Sequence, residues 1–174
     1  MIVKSNEILM TPMSKLDAID LKILEEIQKD GRISIVELAR RVNLTKTPCA
    51  ERLKRLEKSG VVVGYHTRLN PEALDIAHVT FVEVQLKSTT ADALADFNRA
   101  VLKAKEIQAC HMVAGGFDYL LKVRTSDIKG YRETLGLVIS RLPHVQQTHT
   151  YVVMEEVKDD PILPVPRPGK KTTN

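Results

Sequence analysis

Only three residues separate two short amphipathic segments near the start of the chain, and that spacing limits its possible folds more than any other feature. Ile35, Leu38, Ala39 and Val42 recur at i, i+3, i+4 and i+7, the repeat of a helix with one apolar face. A break falls at Asn43-Leu44, and Cys49, Leu53 and Leu56 then form the stripe of a second helix ended by Ser59-Gly60. The Ser34 hydroxyl can cap the Glu37 amide while Glu37 caps back, a capping-box pattern. Thr45 can cap the next helix, with Pro48 tolerated in its first turn. A longer helix precedes both: Leu16, Ile19, Ile23, Leu24 and Ile27 keep helical spacing from near Asp17 until Gly31 stops them. One longer helix and two short ones across a tight turn make a helix-turn-helix arrangement.

Charge supports a polyanionic partner for that region. The net charge is +4, and residues 32–68 hold 9 Lys or Arg against 3 Asp or Glu, whereas residues 71–158 are close to neutral. A basic cluster confined to one segment is the electrostatic footprint of phosphate contact. The stripe at Cys49, Leu53 and Leu56 leaves Lys46, Thr47, Glu51, Arg52, Lys54, Arg55 and Lys58 outward. A recognition helix divides its surface in this way between core and base edges. Residues 61–69 alternate in β-formers around Gly64 and predict a short hairpin or wing whose Arg68 reaches the backbone of a duplex. The expected DNA-contacting set is Ser34, Lys46, Thr47, Pro48, Glu51, Arg52, Lys54, Arg55 and Arg68. Arg52 and Arg55 lead it, and Thr47 and Glu51 lie nearest the groove.

The second half changes period. Residues 80–87 alternate, with Val82, Val84 and Leu86 on one face, which predicts a strand. A helix over 91–104 carries Leu94, Phe97, Val101 and Ala104. Strands over 106–114 and 117–124 are expected to meet at Gly115-Gly116. Ile128, Tyr131, Leu135, Val138 and Leu142 predict a helix over 127–142 that Pro143 stops, and a long strand over 145–158 follows. The order βαββαβ gives a ferredoxin-like sheet with both helices on one face. The chain therefore reads as α+β: a winged helix-turn-helix at 14–70, a ferredoxin-like domain at 71–158, and a proline-rich tail at 159–174 that is extended or disordered.

Both alternating sets of the last strands include apolar groups: Val152 and Met154 against Tyr151 and Val153, and Tyr119 and Leu121 against Leu120. A sheet with one wet face should not look like this, so the free face is expected to meet another subunit in a dimer or larger closed oligomer. Catalysis finds no support. Cys110 and His111, like Glu155 and Glu156, are adjacent and point to opposite faces of a strand. Gly115-Gly116 opens no helix, Cys49 sits on an apolar stripe, and no metal-ligand spacing occurs. No apolar run reaches roughly 18 residues, and the patch at residues 8–10 is too short for a secretory core. A reducing, cytoplasmic setting without membrane contact is expected. The Gly115-Gly116 turn beside Asp118 could hold a small zwitterion, backbone amides on its carboxylate and Asp118 on its ammonium; a plain hairpin turn explains the same residues.

Several segments resemble the Lrp/AsnC, or feast/famine, regulators: residues 28–34, Thr47-Pro48-Cys49, residues 117–121, Arg141-Leu142-Pro143 and residues 150–156, spread over nearly the whole chain. The resemblance implies a βαββαβ effector domain often called RAM, dimers through the sheets, and assembly to octamers or similar rings. It implies an amino-acid effector, leucine or a similar one such as proline, and no other cofactor. The effector loop would comprise Val113, Ala114, Gly115, Gly116, Phe117 and Asp118, with Tyr151, Val152 and Val153 of the last strand near it. The family commonly carries an acidic residue where this chain has Gly116, which leaves Asp118 as the loop's only carboxylate. A chain of this kind binds double-stranded DNA and regulates transcription. The alternative is an amino-acid-binding oligomeric module without sequence-specific DNA binding.

Overall fold

The computed structural model describes residues 16–166, which divide into two compact units. The apolar patch at residues 8–10 and the chain from 167 onward lie outside the described residues. One unit comprises the helical N-terminal region to Arg68 together with the C-terminal segment from Asp160, and the other runs from Leu69 to Asp159.

The first unit holds three helices, α1 (Ala18–Lys29), α2 (Ile35–Arg41) and α3 (Lys46–Lys58). Asp17 caps α1, accepting from the amides of Ile19 and Asp20, while Asp20 accepts in return from the Asp17 amide. This reciprocal pair satisfies otherwise orphaned N–H groups of the first turn. Ser34 caps α2 by accepting from the Glu37 amide at 3.2 Å. The expected return bond is absent, because the Glu37 carboxylate is taken by the guanidinium groups of Arg40 and Arg41. Thr45 stands at the N-cap of α3 without a side-chain bond. Asn43, at φ +58°, turns the chain between α2 and α3, and the Leu44 amide reaches back to the Ala39 carbonyl at 2.8 Å. Gly60, at φ +76°, ends α3 in the left-handed region that glycine adopts without strain. Ile23, Ile27, Leu38, Ala39, Val42, Cys49 and Leu56 meet in one core.

Residues 61–69 form no ladder, so of the expected hairpin or wing it is the hairpin that is absent. The Val62 amide reaches the Leu56 carbonyl at 3.2 Å, and Tyr65 folds back to place its ring against Gly31. Anchoring on the helices, rather than strand pairing, fixes this stretch.

The second unit has the expected element order: β1 (His78–Leu86), α4 (Ala91–Val101), β2 (Ile107–Met112), β3 (Tyr119–Thr125), α5 (Ile128–Leu137) and β4 (Val145–Val152). The four strands form one antiparallel sheet in the order β2-β3-β1-β4. Val82, Val84, Leu86, Tyr119, Leu121 and Val123 pack with Phe97, Val101, Tyr131 and Ile139 beneath the helices. The helix expected over 127–142 breaks at Val138 into a 3-10 turn, Ile139–Arg141; Gly130 and Gly136 lower its helical preference. β4 ends at Val152, six residues before the expected limit, with one further bond from the Val153 amide to the Val79 carbonyl.

The opposite face of the sheet differs from expectation. Register places Phe81, Leu120 and Tyr151 there, but also Glu83, Gln85, His111, Lys122, Arg124, Gln147 and His149. Lys122 and Arg124 pair with Glu156, Arg124 at 2.9 Å. The face is amphipathic, because the alternation changes character along each strand.

Candidate DNA interface and effector loop

The outward face of α3 follows from its helical angle. Cys49 and Leu56 are buried, and the row furthest from them contains Thr47, Glu51, Lys54 and Lys58, all exposed. Lys46 and Ala50 are exposed on its flank. Pro48 is half-buried in the first turn, where its missing N–H leaves no bond unmade. Ser34 is exposed with its hydroxyl oxygen occupied by its cap, and Arg68 is exposed beyond the helices.

Arg52 is not part of that row. It lies three residues after Cys49 and four before Leu56, on the buried edge of the helix. Its Nη1 donates to Asp17 Oδ2 at 2.6 Å and Asp20 Oδ1 at 2.9 Å. Arg55 Nη2 donates to both oxygens of Asp20, at 2.7 and 2.6 Å. The Asp20 carboxylate is completely buried, yet the two guanidinium groups and its own capping bond satisfy it. The Asp17 carboxyl is held below its usual range, chiefly by the Asp20 amide. Arg52, expected to be a leading DNA contact, therefore ties α3 to the start of α1. Arg55 shares that tie, but its side chain remains 56% exposed against 27% for Arg52. Lys54 has no ion-pair partner among the described residues and stays available to a phosphate. The capping-box spacing Asp17-x-x-Asp20, with the angle of Arg52, was the signal by which sequence could have found this tie.

In the second unit, the loop between β2 and β3 spans six residues rather than a two-residue turn. Neither Gly115 nor Gly116 has the positive φ that tight hairpin turns require. The Val113 amide closes the loop onto the Asp118 carbonyl at 3.0 Å. Gly115 and Gly116 are exposed, and a Cβ at either would meet nothing within 4 Å. The Asp118 amide donates to the Val84 carbonyl, and its Oδ2 accepts from the Leu86 amide at 2.7 Å. One carboxylate oxygen of Asp118 thus fastens the loop to β1, where the β1–β4 register slips between Gln85 and Leu86.

The structure separates the two halves of the expected effector set. Met112 and Tyr119 flank the loop and align with Val84, near the end of β1, whereas Tyr151 and Val152 align with Phe81 and Thr80 near its start. Val113, Ala114, Gly115, Gly116, Phe117 and Asp118 therefore lie at one end of the sheet, and Tyr151, Val152 and Val153 at the other. The two segments of one chain thus border β1 at different levels of its register. Cys49 is buried, and burial pushes its thiol up; the half-buried Cys110 thiol is pushed up to about 11 for the same reason.

Known proteins share both units. A family described as winged helix-turn-helix DNA-binding matches residues 16–63, and one described as Lrp/AsnC ligand binding domain matches residues 79–163. The proline dehydrogenase transcriptional activator of Rhizobium radiobacter is 55% identical over 144 residues, 83% of this chain and 92% of that protein. The chain belongs to the Lrp/AsnC family. The leucine-responsive regulatory protein of Escherichia coli K12 is 54% identical over 147 residues, 84% of this chain and 90% of the relative. Among solved structures, a transcriptional regulator of Neisseria meningitidis in complex with L-Met has a TM-score of 0.81 at 34% identity, covering 86% of this chain and 96% of its own. An AsnC family regulator of Agrobacterium tumefaciens has a TM-score of 0.82 at 28% identity, with 86% and 97% covered. This Lrp/AsnC chain is thus a DNA-binding transcription regulator with an amino-acid-binding domain, not an enzyme. Among the described residues, no helix is long and apolar enough to cross a membrane.

Proposed function

We propose that α3 enters the major groove with Thr47 and Glu51 at base edges and Lys54 and Lys58 on phosphates, while Lys46 and the free side of Arg55 approach the flanking backbone. The exposed row at 47, 51, 54 and 58, opposite the buried Cys49 and Leu56, carries this reading. Arg68 extends the contact from the segment beyond α3. The protein acts in the cytoplasm as a homodimer, built through the amphipathic sheet face and assembled further toward an octamer. Two-fold symmetry then sets half-sites about 34 Å apart, one turn of duplex. A gel-shift with the upstream region of its own gene tests this: we expect a retarded complex that outlasts excess unrelated duplex. Equal competition by unrelated duplex would favour a ligand-binding module without sequence-specific DNA binding.

The effector is an apolar amino acid, leucine before methionine or proline, bound at the 113–118 loop of one copy. The residues Tyr151, Val152 and Val153 complete that site from another copy, because one chain holds them at opposite ends of its sheet. The names of the leucine and proline dehydrogenase regulators and the L-Met complex support this ligand class. A thermal-shift panel of the twenty amino acids identifies the effector, since ligand at 100 times its Kd stabilises by about 2.7 kcal/mol. Asp118→Asn keeps an acceptor for the Leu86 amide and removes the charge, so it should abolish the response with the fold intact. An unchanged response in that variant would remove the loop from the site.

A further inference from the structure

The C-terminal segment returns to the DNA-binding unit and is held there by one side chain. Gln28, half-buried on α1, donates from Nε2 to the Leu163 carbonyl at 3.1 Å and accepts from the Leu163 amide at Oε1 at 2.8 Å. A carboxamide that both donates to and accepts from one residue's backbone mimics the pairing of a neighbouring strand, and it recognises an extended chain whatever its side chains. The segment lies along an apolar cleft whose floor is Leu21, Leu24 and Ile27 of α1 with Val61, Val62 and Tyr65 after α3; residues 161–166 form its other wall, and a volume of about 500 Å3 stays open between the two.

The segment suits such a cleft. Residues 161–166 carry no charge, and prolines at 161, 164 and 166 fix φ and remove three donors that would otherwise need partners. Of the remaining amides, that of Ile162 donates to Asp160 Oδ1 at 3.0 Å and that of Leu163 to Gln28. A proline-rich chain is already extended, so binding it orders little that was free. We propose that the helical unit contains a recognition cleft for an extended proline-rich peptide, read by Gln28, and that its occupant is this chain's own segment 160–166. The cleft is formed by α1, the helix that also fastens α3 through Asp17 and Asp20, and it lies apart from the outward face of α3.

Amide exchange by NMR on the full chain tests the site directly. The Leu163 amide should exchange slowly, and Gln28→Ala should speed it by about 10-fold or more, with the amides of the α3 core unchanged. In a second arm, Leu163→Pro deletes the amide that Gln28 binds, which empties the cleft. A synthetic peptide of residues 159–166 should then bind that variant saturably and shift the resonances of Leu24, Ile27 and Gln28, whereas the same peptide with Leu163→Pro should not. Fast Leu163 exchange in the parent, indifference to Gln28→Ala, or absence of peptide binding would each overturn the proposal. Leu163 protection that rises with protein concentration would assign the occupant to a second copy and overturn its intramolecular part.

Discussion

Arg52 and Asp20 stand 32 positions apart in sequence, yet Arg52 Nη1 donates to Asp20 Oδ1 at 2.9 Å on a carboxylate that solvent does not reach. The bond fixes α3 to the start of α1. A cation on the helix proposed to meet DNA can thus act by orienting that helix rather than by touching nucleic acid.

Asp20→Asn should therefore destabilise the helical unit by about 2–3 kcal/mol, since it leaves two guanidinium groups without their shared buried anion. Urea denaturation followed at the helical signal measures this. Arg52→Ala should lower the same midpoint, and its effect on DNA affinity should track the loss of folded unit.

Glu51→Ala should leave the denaturation midpoint within about 0.5 kcal/mol of the parent, because the side chain is exposed. Its effect belongs to base discrimination: preference at one position of the half-site should relax by about 1 kcal/mol or more. Binding to a set of singly substituted duplexes at fixed salt reads this.

Acid should weaken the helical unit partly through Glu37. Its carboxyl is lowered from 4.5 to about 2, first by the hydrogen bond from Arg40 and then by Arg41. A depressed folded value contributes stability that is fully present above 4.5 and disappears as pH falls through 2. The stability difference between the parent and Glu37→Gln should be constant above about pH 5 and shrink steadily below 4.5. A difference that grows on acidification would contradict the pairing.

Neither cysteine should react quickly in the native state at neutral pH, because burial raises both thiols, that of Cys110 to about 11. A chromogenic disulfide reagent should titrate two thiols promptly only after denaturation. Rapid native reaction at either position would contradict the packing of that residue.

Much of this architecture was legible because burial leaves periodic marks. Cys49, Leu53 and Leu56 located α3, and the alternation at Val82, Val84 and Leu86 located the central strand. Arg52 was misread by charge: its position three residues from Cys49 and four from Leu56 already placed it on the buried edge. Its partner at Asp20 depends on how α1 meets α3, which no local pattern records. The Gln28–Leu163 pair, 135 positions apart, leaves even less trace. At the effector loop the paired glycines suggested a tight turn, but their backbone angles do not make one, and Asp118 instead closes a wider loop onto β1. The separation of Tyr151 from that loop emerges only from strand register, which sequence alternation leaves undetermined.

The account stands on the outward row of α3, and salt-dependent titration of upstream duplex with the Lys54→Ala, Lys58→Ala double variant tests it most directly. Each lost phosphate contact should lower the slope of log affinity against log salt by about 1, so the slope should fall by about 2 while the thermal midpoint stays unchanged. A double variant with the parent's affinity and slope would show that the duplex meets another surface.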